Sequence, residues 1–333
     1  VTKIRIIDLK TYMLNKIYFL NPRLFALFCF MSLSIGLLEV KAQGCSDAGF
    51  CTMGAMRPNQ HYSSSTNLKL RSIDLSQYIG YTKFGDLILN YSLDANISIG
   101  NKNTFQIKLP YQFVNSSLAN VHGTGDISLS FSRNLIAKRN YQINASVGTK
   151  IPTMVPSLKS SDDRPLPMYY QTSLGTYDII AGASFITRKW LIATGYQQAL
   201  NSIGNEFTWA AWKSSSQFDK ANQYPVSKDL RRGSDVMLRV ERNFRSSKWN
   251  AYLGLLGIYR ITKDQVFSTK TKQAEPVDNT TGLALTALMG GGYHINTKIS
   301  INAMVGIKLV NRDLNPDGLS REWVQTIGME YKF

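Results

Sequence analysis

From about residue 70 to its end, the chain alternates apolar and polar side chains with period two, segment after segment. In residues 298–309, Ile299, Ile301, Ala303, Val305, Ile307 and Leu309 share one face. Lys298, Ser300, Asn302, Met304, Gly306 and Lys308 share the other. The final segment repeats the pattern, with Trp323, Ile327, Met329, Tyr331 and Phe333 opposite Glu322, Thr326, Gly328, Glu330 and Lys332. Residues 126–132 set Ile127, Leu129 and Phe131 against Asp126, Ser128, Ser130 and Ser132. A strand has period two and a helix 3.6, so this pattern demands β-strands with one apolar and one polar face.

A soluble sandwich also alternates, but its strands are usually five or six residues long. Here about twelve longer segments occur, near 71–82, 86–99, 103–113, 125–137, 140–150, 176–187, 189–200, 234–244, 248–261, 281–293, 297–309 and 321–333. Their connections alternate between tight turns and long loops. The tight ones carry Gly-Asn-Lys-Asn, Ala-Lys-Arg-Asn, Thr-Arg-Lys, Arg-Ser-Ser-Lys and His-Ile-Asn-Thr-Lys. The long ones span 114–124, 151–175, 201–233, 262–280 and 310–320, and only the first, near 83–86, is short. Short turns on one side and long loops on the other mark a bacterial outer-membrane barrel. The fold expected is all-β, a transmembrane antiparallel up-and-down β-barrel of about 12 strands over residues 67–333. In lipid every backbone polar group must be paired, so a spanning sheet must close on itself. The apolar rows then face lipid and the polar rows face the lumen. Tyr141, Trp190, Trp249, Tyr259, Trp323 and Phe333 lie near strand ends, where interfacial girdles form.

The N-terminal region supplies the address. Lys16 and Arg23 precede an apolar run at 24–38, with Met13 a plausible start. The run is shorter than the roughly 20 residues of a membrane-spanning helix and suits a signal peptide. Val40 and Ala42 occupy the −3 and −1 positions of a cleavage site, giving a signal peptide over 1–42. The alternative is an uncleaved anchor helix. Cys29 lies inside the apolar run and would leave with it. Residues 43–66 then form a periplasmic segment that could plug or tether the barrel, and it holds Cys45 and Cys51. An oxidising compartment and a turn-prone spacer favour a Cys45–Cys51 disulfide. Lipidation of Cys45 and free thiols are the alternatives. Two cysteines without nearby ligands do not fill a tetrahedral metal site, and no metal or cofactor is expected.

The formal charge of +16 invites a nucleic-acid reading. The basic residues are scattered singly, many in short turns, without a dense cluster or reader motif, so no nucleic-acid partner is expected. Enzyme signals are equally poor. His61 precedes the barrel, His122 falls in an expected loop and His294 in a turn. No strand was expected to present a histidine to lipid for a His–Ser hydrolase, and phosphate loops and nucleophile elbows are absent.

Three local patterns carry a family resemblance: His-Gly-Thr-Gly-Asp-Ile-Ser-Leu at 122–129, Val-Gly-Thr-Lys-Ile-Pro-Thr at 147–153, and Leu-Pro-Met-Tyr-Tyr through Gly-Thr-Tyr-Asp at 166–178. They resemble the outer-membrane transporter family of the meta-pathway of phenol degradation, related to long-chain fatty-acid transporter barrels. The resemblance covers the middle third of the chain and implies passive passage of small hydrophobic solutes. The terminal Phe333, with Tyr331 two places before it, resembles the signal by which the barrel assembly machinery recognises its clients.

Read from the residues alone, Gly123 and Gly125 would supply positive φ where a loop re-enters the barrel, and Pro152 would end its strand. Asp126 and Lys150 could pair across neighbouring strands. With Lys108, Arg239, Glu241, Lys308 and Glu330 they are the lumen candidates, in rows that also hold Asp86, Asp94, Glu322 and Lys332. Mixed charges in a small barrel either cross-link its interior or line an aqueous path. Phe207, Trp209, Trp212, Phe218 and Tyr224 crowd the largest loop. They would pack on one another or capture an apolar solute. The expected function is passive transport of small solutes across the outer membrane. The alternatives are a non-conducting assembly or structural barrel and, third, an outer-membrane enzyme.

Overall fold

The computed structural model describes residues 68–333. The signal peptide, the 43–66 segment and the Cys45–Cys51 pairing lie outside the described residues.

Fifteen strands follow in order: β1 (Leu68–Tyr81), β2 (Leu87–Ile99), β3 (Asn103–Asn115), β4 (Asn120–Thr124), β5 (Ile127–Ala137), β6 (Tyr141–Ile151), β7 (Asp178–Thr187), β8 (Trp190–Ala199), β9 (Asp235–Arg245), β10 (Trp249–Arg260), β11 (Gln265–Ser268), β12 (Gln273–Pro276), β13 (Gly282–His294), β14 (Ile299–Val310) and β15 (Trp323–Lys332). β11 and β12 form a separate hairpin inside one loop. β4 and β5 are two halves of one wall strand, both pairing with β3. That leaves twelve walls, each antiparallel to its neighbours. β1 pairs with both β2 and β15, and β2 pairs on with β3, so the sheet closes into a barrel.

Closure sorts the side chains. Outward rows are exposed and apolar, as in Leu253, Leu255 and Tyr259 of β10 or Ile179 and Phe185 of β7. Inward rows are buried, as in Ser130, Ser132 and Asn134 of β5. Large apolar residues exposed over a whole belt are intelligible only against lipid. Aromatics flank that belt: Trp190, Trp249, Tyr259 and Phe333 are exposed, and Tyr81 stacks on Trp323 at 6.3 Å. Phe333 packs edge-on to Tyr331 at 5.1 Å, and its backbone N–H donates to Arg71. The chain is an outer-membrane β-barrel.

Two sequence expectations change. The expected loop at 114–124 is a tight hairpin, because β3 runs to Asn115 and β4 resumes at Asn120. The break comes afterwards, where Pro110 of β3 lacks an N–H to donate. Gly125 N–H instead donates to the Pro110 carbonyl at 3.0 Å, and the register shifts by one residue. Nor are Gly123 and Gly125 among the residues with positive φ. They are small because a loop lies against them. A Cβ on Gly123 would sit 2.9 Å from Thr172 Oγ1, and one on Gly125 would sit 2.9 Å from the Pro110 ring.

Leu255 sits mid-strand on the outward face between Val240 and Ala287. Leu255→Arg is expected to destabilise the folded barrel by roughly 2–4 kcal/mol, the cost of a cation near the bilayer midplane, and Leu255→Phe to leave it nearly unchanged. Urea unfolding in lipid vesicles measures both.

Candidate functional site

The lumen wall is divided. Over β2, β3, β5 and β6 the inward positions form polar rungs. Asp94, Lys108, Ser128 and Lys150 are successive cross-strand partners, as are Asn96, Gln106, Ser130 and Gly148, then Ser98, Thr104, Ser132 and Ser146. Over β7–β10 and β13 an apolar patch interrupts the polar inward positions. Ile180, Ile186, Leu191, Ala193, Met237, Leu256, Ile258 and Leu288 form one buried cluster, with Tyr252 and Met304 against it. Along this patch the strands are apolar on both faces, while Ser184, Gln197, Arg239, Glu241, Asn243 and Asn250 keep the inward rows polar on either side of it.

The polar arc is not cross-linked throughout. Asn134 donates to Asn144, which donates to Ser184, near the turn end. Above that chain, Thr104 Oγ1, Gln106 Oε1, Ser130 Oγ and Ser132 Oγ are buried without a hydrogen-bond partner in the protein. Native proteins rarely leave buried polar atoms unpartnered unless water or a ligand serves them. Toward the loop end the arc opens into a cavity of about 60 Å³, lined by Lys108, Gln112, Asp126, Ser128 and Lys150 below and by Gln171, Thr172 and Arg321 above.

The long loops fold inward and close the mouth. Tyr169, Tyr170, Phe207, Trp212 and Tyr224 are buried in one cluster with Tyr78, Ile88 and Val324 of the wall. Trp212 Nε1 donates to the Pro165 carbonyl at 2.8 Å, and Trp209 Nε1 to the Tyr224 carbonyl at 2.8 Å. Asp86 anchors the cluster to the wall. It accepts from the Tyr224 hydroxyl at 2.6 Å and from Thr82 and Ser116. Burial and the Asp86 charge push Tyr170 and Tyr224 above the ordinary tyrosine range, so both remain protonated. Gly318, at φ 71°, lets the 311–322 loop press on the 166–170 segment, for a Cβ there would lie 2.7 Å from the Tyr169 nitrogen.

An ion network ties the loops to the strands on the other side of the mouth. Arg260 bonds Asp235, Asp264 and Asp317, each at 2.8–2.9 Å. Arg232 bonds Asp178 at 2.8 Å, and Arg312 lies 3.6 Å from Asp235. Three loops and three strands converge on these groups, all buried. Burial alone would raise the Asp317 pKa. Arg260, Arg312 and Arg232 outweigh it and hold the carboxyl well below the usual range. Burial raises Asp264, with Arg260 opposing.

The lumen candidates fall into separate places. Lys150 Nζ lies 3.6 Å from Asp126, which also accepts from the Ser173 hydroxyl at 2.6 Å and from Leu174 N–H. Lys108 lines the same cavity. Arg239 and Glu241 lie apart, paired with each other inside the apolar arc, with Arg239 Nε donating at 2.6 Å. Lys308 pairs with Glu322, and Glu330 with Lys332 at 3.3 Å. Of the loop aromatics, Phe207, Trp212 and Tyr224 are buried in the mouth, Phe218 packs beside them, and Trp209 is 44% exposed. Of the Arg260 network only Asp178 belongs to a sequence pattern, as the last residue of the 166–178 motif. The other members are single charges far apart in the chain, and no local pattern marks them. His122 lies on an outward strand face rather than in a loop, because β4 begins at Asn120. Among the described residues its Nδ1 meets the Tyr111 hydroxyl, at 2.7 Å, and not a serine.

An outer membrane channel from Pseudomonas putida F1 is similar in structure, with a TM-score of 0.56 at 10% identity, covering 83% of this chain and 99% of that one. The likeness is one of fold, that of an outer-membrane β-barrel. The NanC porin aligns with a TM-score of 0.45 at 11% identity over 78% of this chain and 100% of its own. The CymD monoaromatic hydrocarbon channel aligns with 0.40 at 9% identity over 90% and 99%. At these scores neither bears on this chain. No protein-family model and no curated protein sequence matches it.

Arg260→Gln removes the shared partner of three buried carboxylates, of which Asp235 and Asp317 keep a more distant arginine, and is expected to release the loops at a cost of about 3–5 kcal/mol. Limited proteolysis would show cleavage in 201–233 while the barrel stays heat-modifiable on gels. Acid acts on the same network. A depressed carboxylate contributes stability that is present above its unfolded pKa of about 3.9 and is lost as pH falls toward its native value. Asp264, raised, takes up its proton earlier and favours the folded network as it does so. Hydrogen exchange of the loop amides should therefore stay slow on acidification from neutral pH to the ordinary carboxylate range. It should accelerate only below that range.

Proposed function

We propose that this barrel is a gated channel for the passive passage of small amphipathic solutes across the outer membrane. The observation that carries the reading is the polar arc. Four buried polar atoms on adjacent strands have no protein partner, where a packed structural barrel would cross-link them. They form a polar strip running from the Lys108–Lys150 cavity toward the turn end. The apolar arc of Ile180, Leu191, Met237 and Leu256 faces the same lumen. A solute with a polar group and an apolar body meets a matching surface for each. This agrees with the small hydrophobic solutes implied by the motifs at 122–129, 147–153 and 166–178, and adds a polar end to them. In this reading Asp126, Lys150 and Lys108 meet the polar end. Arg239 and Glu241 brace the wall instead. The loop aromatics act as the gate, with Trp209 alone placed for capture from outside.

The closed mouth supports the second reading, a non-conducting barrel whose loops hold a partner. Conductance separates the two. In planar bilayers, wild-type protein is expected to show low, intermittent conductance. Trp212→Ala/Tyr224→Phe, which empties a buried ring position and cuts the Asp86 bond, is expected to raise it several-fold. Absence of current from both proteins, each still heat-modifiable, would rule out the channel.

A further inference from the structure

The net charge is not spread evenly over the molecule. The four long loops, 152–177, 200–234, 261–281 and 311–322, hold twelve basic and eleven acidic residues, close to balance. The five tight turns at the opposite end hold seven basic residues and no acidic one. Lys138–Arg139 and Arg188–Lys189 are adjacent pairs. Lys102, Lys248 and Lys298 supply one cation to each remaining turn. All seven are exposed. Because the turns follow one another around the barrel, the cations form a ring rather than a patch.

The ring sits at the depth of the aromatic girdle. Arg242, on the outward face of β9, is the direct cross-strand partner of Trp190, and its guanidinium lies 5.0 Å over the indole. Lys138 Nζ lies 5.9 Å from the Tyr141 ring, and Lys298 Nζ lies 6.0 Å from that of Tyr331. Arg133 is exposed on the outward face of β5 close to the same end. Cations stacked on lipid-facing rings occupy the zone of lipid phosphates, with their stems in the apolar layer and their charged ends in the headgroups.

We infer that the turn end is a binding ring for anionic phospholipid headgroups, which holds the barrel at a fixed depth in the leaflet that the turns reach. The chemistry recognised is a phosphodiester with net negative charge, met by paired cations at two adjacent turns and by single cations around the rest. A ring facing outward all round the barrel suits lipids, which surround it. An acidic polypeptide would call for a concentrated patch on one side or across the end. The inference rests on the barrel fold and is independent of conduction.

The test compares wild-type protein with two variants that lose equal charge: Lys138→Gln/Arg139→Gln/Arg188→Gln/Lys189→Gln at the turns, and Lys213→Gln/Lys220→Gln/Lys263→Gln/Lys270→Gln in the loops. Each is refolded in mixed phosphatidylcholine and phosphatidylglycerol vesicles and checked for heat-modifiability. Native mass spectrometry then reads the lipid retained. Wild-type protein and the loop variant are expected to retain phosphatidylglycerol in preference. The turn variant should lose that preference by at least about fivefold, the effect of one basic group beside an anionic surface. Equal losses in both variants, or no preference in wild type, would overturn the inference. So would tight binding of soluble polyglutamate by wild type in phosphatidylcholine vesicles, together with no phosphatidylglycerol preference.

Discussion

Everything in this molecule depends on the closing of one hydrogen-bonded sheet. A backbone group left unpaired in hydrocarbon costs several kcal/mol, and a strand edge would expose a whole row of them. The pairing of β1 with both β2 and β15 removes the last edge. Once the sheet is closed, the pleat decides which side chains meet lipid and which meet one another. One of the irregularities in the wall lies at Pro110 and Gly125, where a missing N–H is met by a one-residue register shift. That shift also swings Asp126 inward, within reach of Lys150 and of the 171–174 segment.

Closure also creates the difficulty that the loops resolve. A ring of twelve strands leaves a mouth, and the inward residues near it are both charged and apolar. The Arg260 network and the Asp86–Tyr224 anchor handle these in different ways. Arg260 satisfies three carboxylates at once, which offsets the desolvation that burial imposes on each. At Asp86 a single carboxylate is met by neutral hydroxyls, and the raised pKa of Tyr224 keeps it a donor. The first arrangement binds loops to strands through charge. The second binds them through aromatic packing around one acceptor. The two meet in the 200–234 loop, which Tyr224 ties to Asp86 and Arg232 to Asp178.

The sequence was most legible where one strand face is polar. β5, β6, β14 and β15 alternate cleanly, and the twelve walls and five turns could be placed from them. It was least legible in β7–β10. There Ile179 and Ile180, or Leu255 and Leu256, are neighbours that face opposite ways, and both are apolar. Alternation cannot show that the inward member of each pair builds an apolar arc. Only closure, which fixes the register, reveals it. The Arg260 network escaped for another reason. Asp178, Arg232, Asp264 and Asp317 come together only through folding of the loops, and a single charge in a loop looks the same whether buried or solvated. The loop glycines were read as conformational when they are steric, because a sequence shows that a side chain is missing and not what presses on the space.

The two ends of the barrel follow opposite electrostatic rules. At the loop end acids and bases nearly balance in number, and Asp178, Asp235, Asp264 and Asp317 are paired with buried arginines. Burial makes an unpaired charge costly, so balance there is a condition of the cap folding at all. At the turn end the cations are exposed among the described residues, so they need no internal partner. Seven like charges around a narrow rim still repel, and over spacings below a Debye length of about 8 Å that repulsion is not screened away. A rim built this way lowers its own energy whenever anions gather on it. The rim's seven uncompensated cations are the largest single share of an excess charge of +16 that as composition alone suggested nucleic acid.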